Sequence, residues 1–194
     1  MERQKWYTKD RKVALVLLSV MIVSGVTFST PIPAYAAAIT YAEPAPGNCG
    51  GNSPCYATIT AALNNTDPNG TVYVYAATYT ENVSIGSGIT VTLLGATTLN
   101  GNLTIGSGTT LNSTSNTFNI SGNWTNSGTF NHNNGTVRLN GSSGTQTISG
   151  MPIFYNLTLA NGGATTDFDG SATTIANTLS ATAGTMNPGS STII

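Results

Sequence analysis

A parallel β-solenoid with coils of about twenty residues is the fold this sequence predicts, and three observations predict it. NVSIGSGITV at 82–91 returns as NLTIGSGTTL at 102–111. Asn-x-Ser/Thr triplets open strand-like patterns at Asn82, Asn102, Asn123 and Asn156, the first three at steps of 20 and 21 residues. From Gly70 onward the hydrophobic period is two, with β-branched residues in short runs separated by Gly, Asn and Ser, as expected of half-buried strands. Equal-length self-similarity marks stacked units. A β-sandwich is the alternative, but its hairpins have no need of equal repeats.

Residues 1–12 are polar and carry five of the six basic residues, Arg3, Lys5, Lys9, Arg11 and Lys12. VALVLLSVMIVSGVTF at 13–28 is apolar and uncharged. Pro31, Pro33 and the small-residue site Ala34-Tyr35-Ala36 follow. This order is that of a secretory signal peptide, so residues 1–36 are expected to be an export address cut after Ala36. An uncut membrane anchor is the alternative, but the apolar stretch is short for a bilayer that needs about 20 residues. The mature chain is then expected in a secreted, extracellular or cell-surface location, with no membrane span after cleavage.

Residues 37–70 are expected to hold a linker, a disulfide loop and a capping helix. Cys49 and Cys55 are the only cysteines, in CGGNSPC. An oxidising compartment favours their pairing across the tight loop, at about 2 kcal/mol of chain-entropy stabilisation. A metal site would need further ligands. In YATITAALNN at 56–65, Ile59, Ala62 and Leu63 fall on one face of a short helix, which the turn residues 64–70 then end.

Residues 71–194 form the expected solenoid. Stacking the repeats places Val83 on Leu103, Ile85 on Ile105 and Val91 on Leu111. Gly86 and Gly88, like Gly106 and Gly108, would turn the corner between strands. Asn and Thr would form ladders outside or at the bends. The chain stops at GSSTII inside strand-like sequence. Solenoids usually carry polar end caps, so the C-terminal end is expected to be truncated, with further coils or domains beyond it or a partner against it.

CYATITAALNN followed by NGTVYVYAATYTENVSI resembles the opening of secreted proteins with the pectin-lyase-like right-handed parallel β-helix. In that superfamily a short helix with an Ile-x-x-Ala pattern covers the end of the solenoid. A Tyr-x-Glu-x-Val/Ile-x-Ile stretch, matched here by Tyr79, Glu81, Val83 and Ile85, then enters the first coil. The resemblance covers about residues 55–94. It departs at Ala76-Ala77, where Pro-Gly is common. The later stretch GTVRLNGSSGTQTISGMPIFYNLTLANGG is similar to Gly/Thr/Asn-rich repeats of bacterial surface proteins.

Enzymes of that superfamily acting on pectins use clustered Asp residues with Arg or Lys on an outer face. Charged residues are only 7% of this chain, against about 25% in an average soluble protein. Asp167-Phe168-Asp169 is the best candidate, since residues two apart on a strand face the same way. Two carboxylates make a poor Ca²⁺ site, and a solvated loop is the favoured assignment. Arg138 alternates with Val137 and Leu139 and should point outward into solvent. His132 has no nucleophile partner that would make a triad. Glu81 is expected at a bend. Both GSG segments precede strands, so neither is a nucleotide loop.

Trp124, Phe130, Phe154 and Tyr155 are expected in the core, with a sugar-stacking platform led by Trp124 as the alternative. No catalytic, cofactor or metal residues are assigned. Arg138 is the only basic residue after position 12, which argues against nucleic acid and anionic membrane surfaces. The expected function is a non-enzymatic secreted or surface β-solenoid: an adhesin, stalk or extracellular structural module. A polysaccharide lyase or esterase, or a carbohydrate-binding module, is the alternative, and the expected partner is an extracellular polysaccharide or cell-surface glycan.

Overall fold

A computed structural model of the chain describes residues 37–194, apart from positions 46, 87 and 171. The expected export segment, 1–36, lies outside the described residues. Within them the chain winds as a parallel β-solenoid of about 6 turns, with about 20 residues per turn.

The strands are β1 (Ala37–Ala42), β2 (Cys55–Tyr56), β3 (Thr66–Val74), β4 (Thr78–Tyr79), β5 (Val83–Ile85), β6 (Thr90–Leu93), β7 (Thr97–Leu99) and β8 (Leu103–Ile105). They continue as β9 (Thr110–Asn112), β10 (Thr117–Ile120), β11 (Trp124–Asn126), β12 (Thr129–Asn131), β13 (Thr136–Leu139), β14 (Gly144–Gly150), β15 (Ile153–Phe168) and β16 (Thr174–Asn187). Helix α1 (Ile59–Asn64) interrupts them once. One sheet runs β12-β9-β6-β3-β1-β2. A second sheet supplies the other faces, because β15 pairs with both β13 and β14 along its length.

Register follows the repeat. Val83 pairs with Leu103 and Ile85 with Ile105, and Val91 pairs with Leu111. Alternation on each strand sends these side chains inward and their neighbours outward. The interior is therefore built of columns such as Tyr79–Leu99–Ile120–Leu139–Leu159 and Val83–Leu103–Trp124–Ile148–Phe168, and every member is buried. Each fully buried aliphatic side chain contributes about 1.5–3 kcal/mol.

The GSG corners form as the repeat predicts. Gly86 and Gly106 accept from the amides of Ile89 and Thr109 at 3.1 and 3.2 Å. Gly88 and Gly108 have φ of 69° and 73°, in the left-handed region that suits glycine. At the corner before the third face the requirement is space. A Cβ on Gly101 would lie 1.9 Å from the carbonyl oxygen of Glu81 in the coil below.

The Asn-x-Ser/Thr triplets form a corner ladder. Asn82 Oδ1 accepts from the Asn102 amide, Asn102 Oδ1 from the Asn123 amide, and Asn123 Oδ1 from the Thr147 amide, at 2.8, 2.8 and 2.9 Å. Asn156 does not belong to this column, contrary to the sequence pattern. It sits inside β15, paired with Thr136, and bonds Thr136 Oγ1 and Asn177 instead. The coil before it is longer: Thr147 lies 24 residues beyond Asn123, and this shifts the phase. Gln146 is buried there and ties the enlarged coil together through Gly141 N, Ile120 O and Gly122 O.

Helix α1 covers the first coil through Ile59, Ala62 and Leu63, all buried. The Ala, Pro and Gly content of residues 37–55 reads as a linker or loop, yet 37–42 form β1, bonded to β2 and β3. Its pattern is inverted, with Ile39 outward and Thr40 and Ala42 buried. The inward space belongs to the helix, and Thr40 Oγ1 bonds Ala62 O and Thr66 Oγ1. Cys49 and Cys55 are disulfide-bonded, with Cα atoms 5.8 Å apart.

Candidate functional site

Two acidic residues of the first coils, Glu81 and Glu43, hold the cap helix and the disulfide loop. Glu81 sits at a bend after β4, where its Oε1 accepts from Ile59 N at 2.7 Å and its Oε2 from Thr60 N at 2.9 Å. One carboxylate thus satisfies two orphan donors at the start of α1. Thr58 caps the Ala61 amide. Glu43 accepts from the Cys49 amide beside the disulfide. Between them lies Tyr79, whose buried hydroxyl contacts the carbonyl oxygens of Ala42 at 2.8 Å and Tyr75 at 3.0 Å. Burial, followed by the charges of Glu43 and Glu81, holds the Tyr79 phenol well above its ordinary value. The Tyr79-Thr80-Glu81 stretch is therefore a clamp between the cap and the first coils.

The remaining charged candidates are dispersed. Asp167 is on β15 between Thr147 and Asn187, and its Oδ1 accepts from Asn187 Nδ2 at 3.1 Å. Asp169 lies past the strand end, exposed, with its backbone amide on Ile148 O. Arg138 is half-buried in the outward column Thr98–Asn119–Arg138–Thr158, 3.5 Å from Asn119 Oδ1. Among the described residues, no three His, Cys, Asp or Glu side chains come together to hold a metal ion. The outer faces instead carry neutral columns such as Thr71–Thr90–Thr110–Thr129 and Thr92–Asn112–Asn131.

Trp124, Phe130 and Phe154 pack edge to face in the core, with ring centroids 4.8–6.0 Å apart. Trp124 is 0% exposed, which rules it out as a sugar platform, because its column stacks it between Leu103 and Ile148. Tyr155 is the aromatic that departs from the core expectation. It is half-exposed and stacks on His132, centroids 5.5 Å apart.

That pair lies beside a break in the solenoid wall. Strand β12 is the edge of the first sheet, whereas the next coil's backbone at Ile153 and Phe154 pairs onward with Thr174 and Ile175. A groove of about 460 Å³ opens there, lined by Phe130, Asn131, His132, Asn133, Asn134 and Ile153. Asn133 and Asn134 have φ of 47° and 58°. Asparagine tolerates this left-handed conformation better than most residues, which suits a tight turn. No sequence motif exposes the groove, since it depends on residues 131–134 meeting 153–155 across the long coil.

Compared with models of known families, with curated proteins and with solved structures, the chain matches none. The class it belongs to is defined by its architecture, a parallel β-solenoid capped by one short helix.

Proposed function

We propose that the chain is an exported, non-enzymatic structural module of the cell surface or extracellular space, a stalk or adhesin segment on a pectin-lyase-like β-helix. The observation that carries this reading is the chemistry of the outer faces. They carry neutral Thr, Asn and Ser columns, while Glu81 is engaged in holding the cap helix and Glu43 in the disulfide loop. Such a surface is hydrated and sparsely charged, and suits a spacer or a contact with neutral extracellular glycan. One further point supports the reading: the short helix and the Tyr79-Thr80-Glu81 stretch carry the residues on which the resemblance to that superfamily rests.

The test uses the full chain expressed with its leader. Protein recovered from the medium or cell surface should begin at Ala37 by N-terminal sequencing and release no oligouronide from polygalacturonate. Retention in the cytoplasm, or uronate cleavage abolished by Asp167→Asn with Asp169→Asn, contradicts the proposal. The cleavage result would favour the lyase or esterase alternative.

A further inference from the structure

We infer that the groove at the break in the wall binds a neutral carbohydrate, with His132 as its central hydrogen-bond donor. This deepens the contact with neutral glycan proposed above and rests on that reading for the class of ligand, while the binding test below can fail with export and the structural role intact.

The donor pattern can be read from the groove's own bonds. His132 Nδ1 accepts from the Asn134 amide at 3.1 Å, so in the neutral imidazole the proton resides on Nε2, which donates. Asn131 Nδ2 donates to Asn112 Oδ1 at 2.7 Å, and Asn133 Nδ2 to Ser113 O at 2.6 Å. Each amide is thereby fixed by its nitrogen end, and its Oδ1 remains an acceptor. Asn134 adds an exposed amide. One ring N–H among amide oxygens is the complement of vicinal hydroxyls, which both donate and accept.

The remaining walls suit the same ligand. Ile153, 51% exposed, supplies apolar surface for sugar C–H groups, with the largely buried Phe130 also lining the groove. Tyr155 stacks on His132 at an interplanar angle of 30° and holds the ring flat. No Asp, Glu, Lys or Arg lines the groove, so an ionic ligand has no charged partner there. Ligand pockets commonly join apolar walls to a few placed polar groups.

The test titrates the full chain with cellohexaose, laminarihexaose, chitohexaose and mannohexaose, using saturation-transfer NMR and calorimetry. Polygalacturonate is the anionic control. At least one neutral oligosaccharide should bind. His132→Ala should weaken it about tenfold, the loss of one good hydrogen bond. Ile153→Glu, at the exposed rim, should weaken it with no change in melting temperature, which separates a binding defect from a folding one. A Thr90→Ala/Thr92→Ala variant on the sheet's outer face should bind as the parent does. Failure of all four neutral probes, a preference for polygalacturonate, or binding unaffected by both groove variants overturns the assignment.

Discussion

Replacing Glu81 with alanine should release the cap from the solenoid. The carboxylate makes charge-assisted bonds of 2.7 and 2.9 Å to the first amides of α1. Bonds to charged groups contribute about 1.5–3 kcal/mol each when well shielded. Here the Thr60 bond is solvent-exposed and the Ile59 bond part-buried. The lower end applies, giving about 2–3 kcal/mol for the pair. Thr58 still caps Ala61, so the helix weakens rather than vanishes. In a domain of this size the loss corresponds to a melting temperature about 4–12 °C lower. Hydrogen exchange gives the sharper readout, because solenoid coils open locally. Amides of α1 should exchange about 30- to 150-fold faster, at about 1.4 kcal/mol per decade, while those of β10 and β13 change little. Glu81→Gln keeps one acceptor oxygen and should fall between. Unchanged exchange in α1 for Glu81→Ala would refute the clamp.

Three further outcomes follow from the same geometry. The Tyr79 phenol is raised in the folded state, first by burial and then by Glu43 and Glu81, so above about pH 10 the unfolded chain ionises first. Its stabilising contribution is complete below that pH and declines above it, and Tyr79→Phe should flatten the alkaline loss of stability measured by urea unfolding. At the corner ladder the bonded atom of Asn102 is Oδ1, so Asn102→Ala should cost about 1 kcal/mol, and Asn102→Asp, which keeps the acceptor, should cost less in the same assay. Trp124→Ala empties the centre of the aromatic cluster and should cost about 3–5 kcal/mol; in the parent, Trp124 emission should be blue-shifted and resist acrylamide quenching, because the ring is 0% exposed.

Most of the architecture was legible because the interior columns are written twice, once as period-two alternation and once as the twenty-residue interval. Val83, Leu103, Ile85 and Ile105 carry both signals, and their register is the one the repeat implies. The cap helix was legible from Ile59, Ala62 and Leu63. Strand β1 was not, because its inward positions are Thr40 and Ala42, small and partly polar to make room for α1. Asn156 misled because its triplet matches the ladder in wording but not in phase, after a coil lengthened around Gln146. The role of Glu81 was hidden by distance: its partners Ile59 and Thr60 lie 22 and 21 residues away. The groove was the least legible feature. His132 read as a histidine without a nucleophile partner and Tyr155 as core, and only the interruption after β12 brings them together.

The central claim is parallel, in-register stacking of successive coils. It is tested most directly by nuclear Overhauser contacts in the methyl-labelled chain. Ile85 should contact Ile105, Val83 should contact Leu103, and Leu103 should contact the Trp124 ring, as the registers require. A network lacking these contacts, with strong Hα–Hα contacts between consecutive strands such as β5 and β6, is the mark of antiparallel hairpins and would contradict the solenoid.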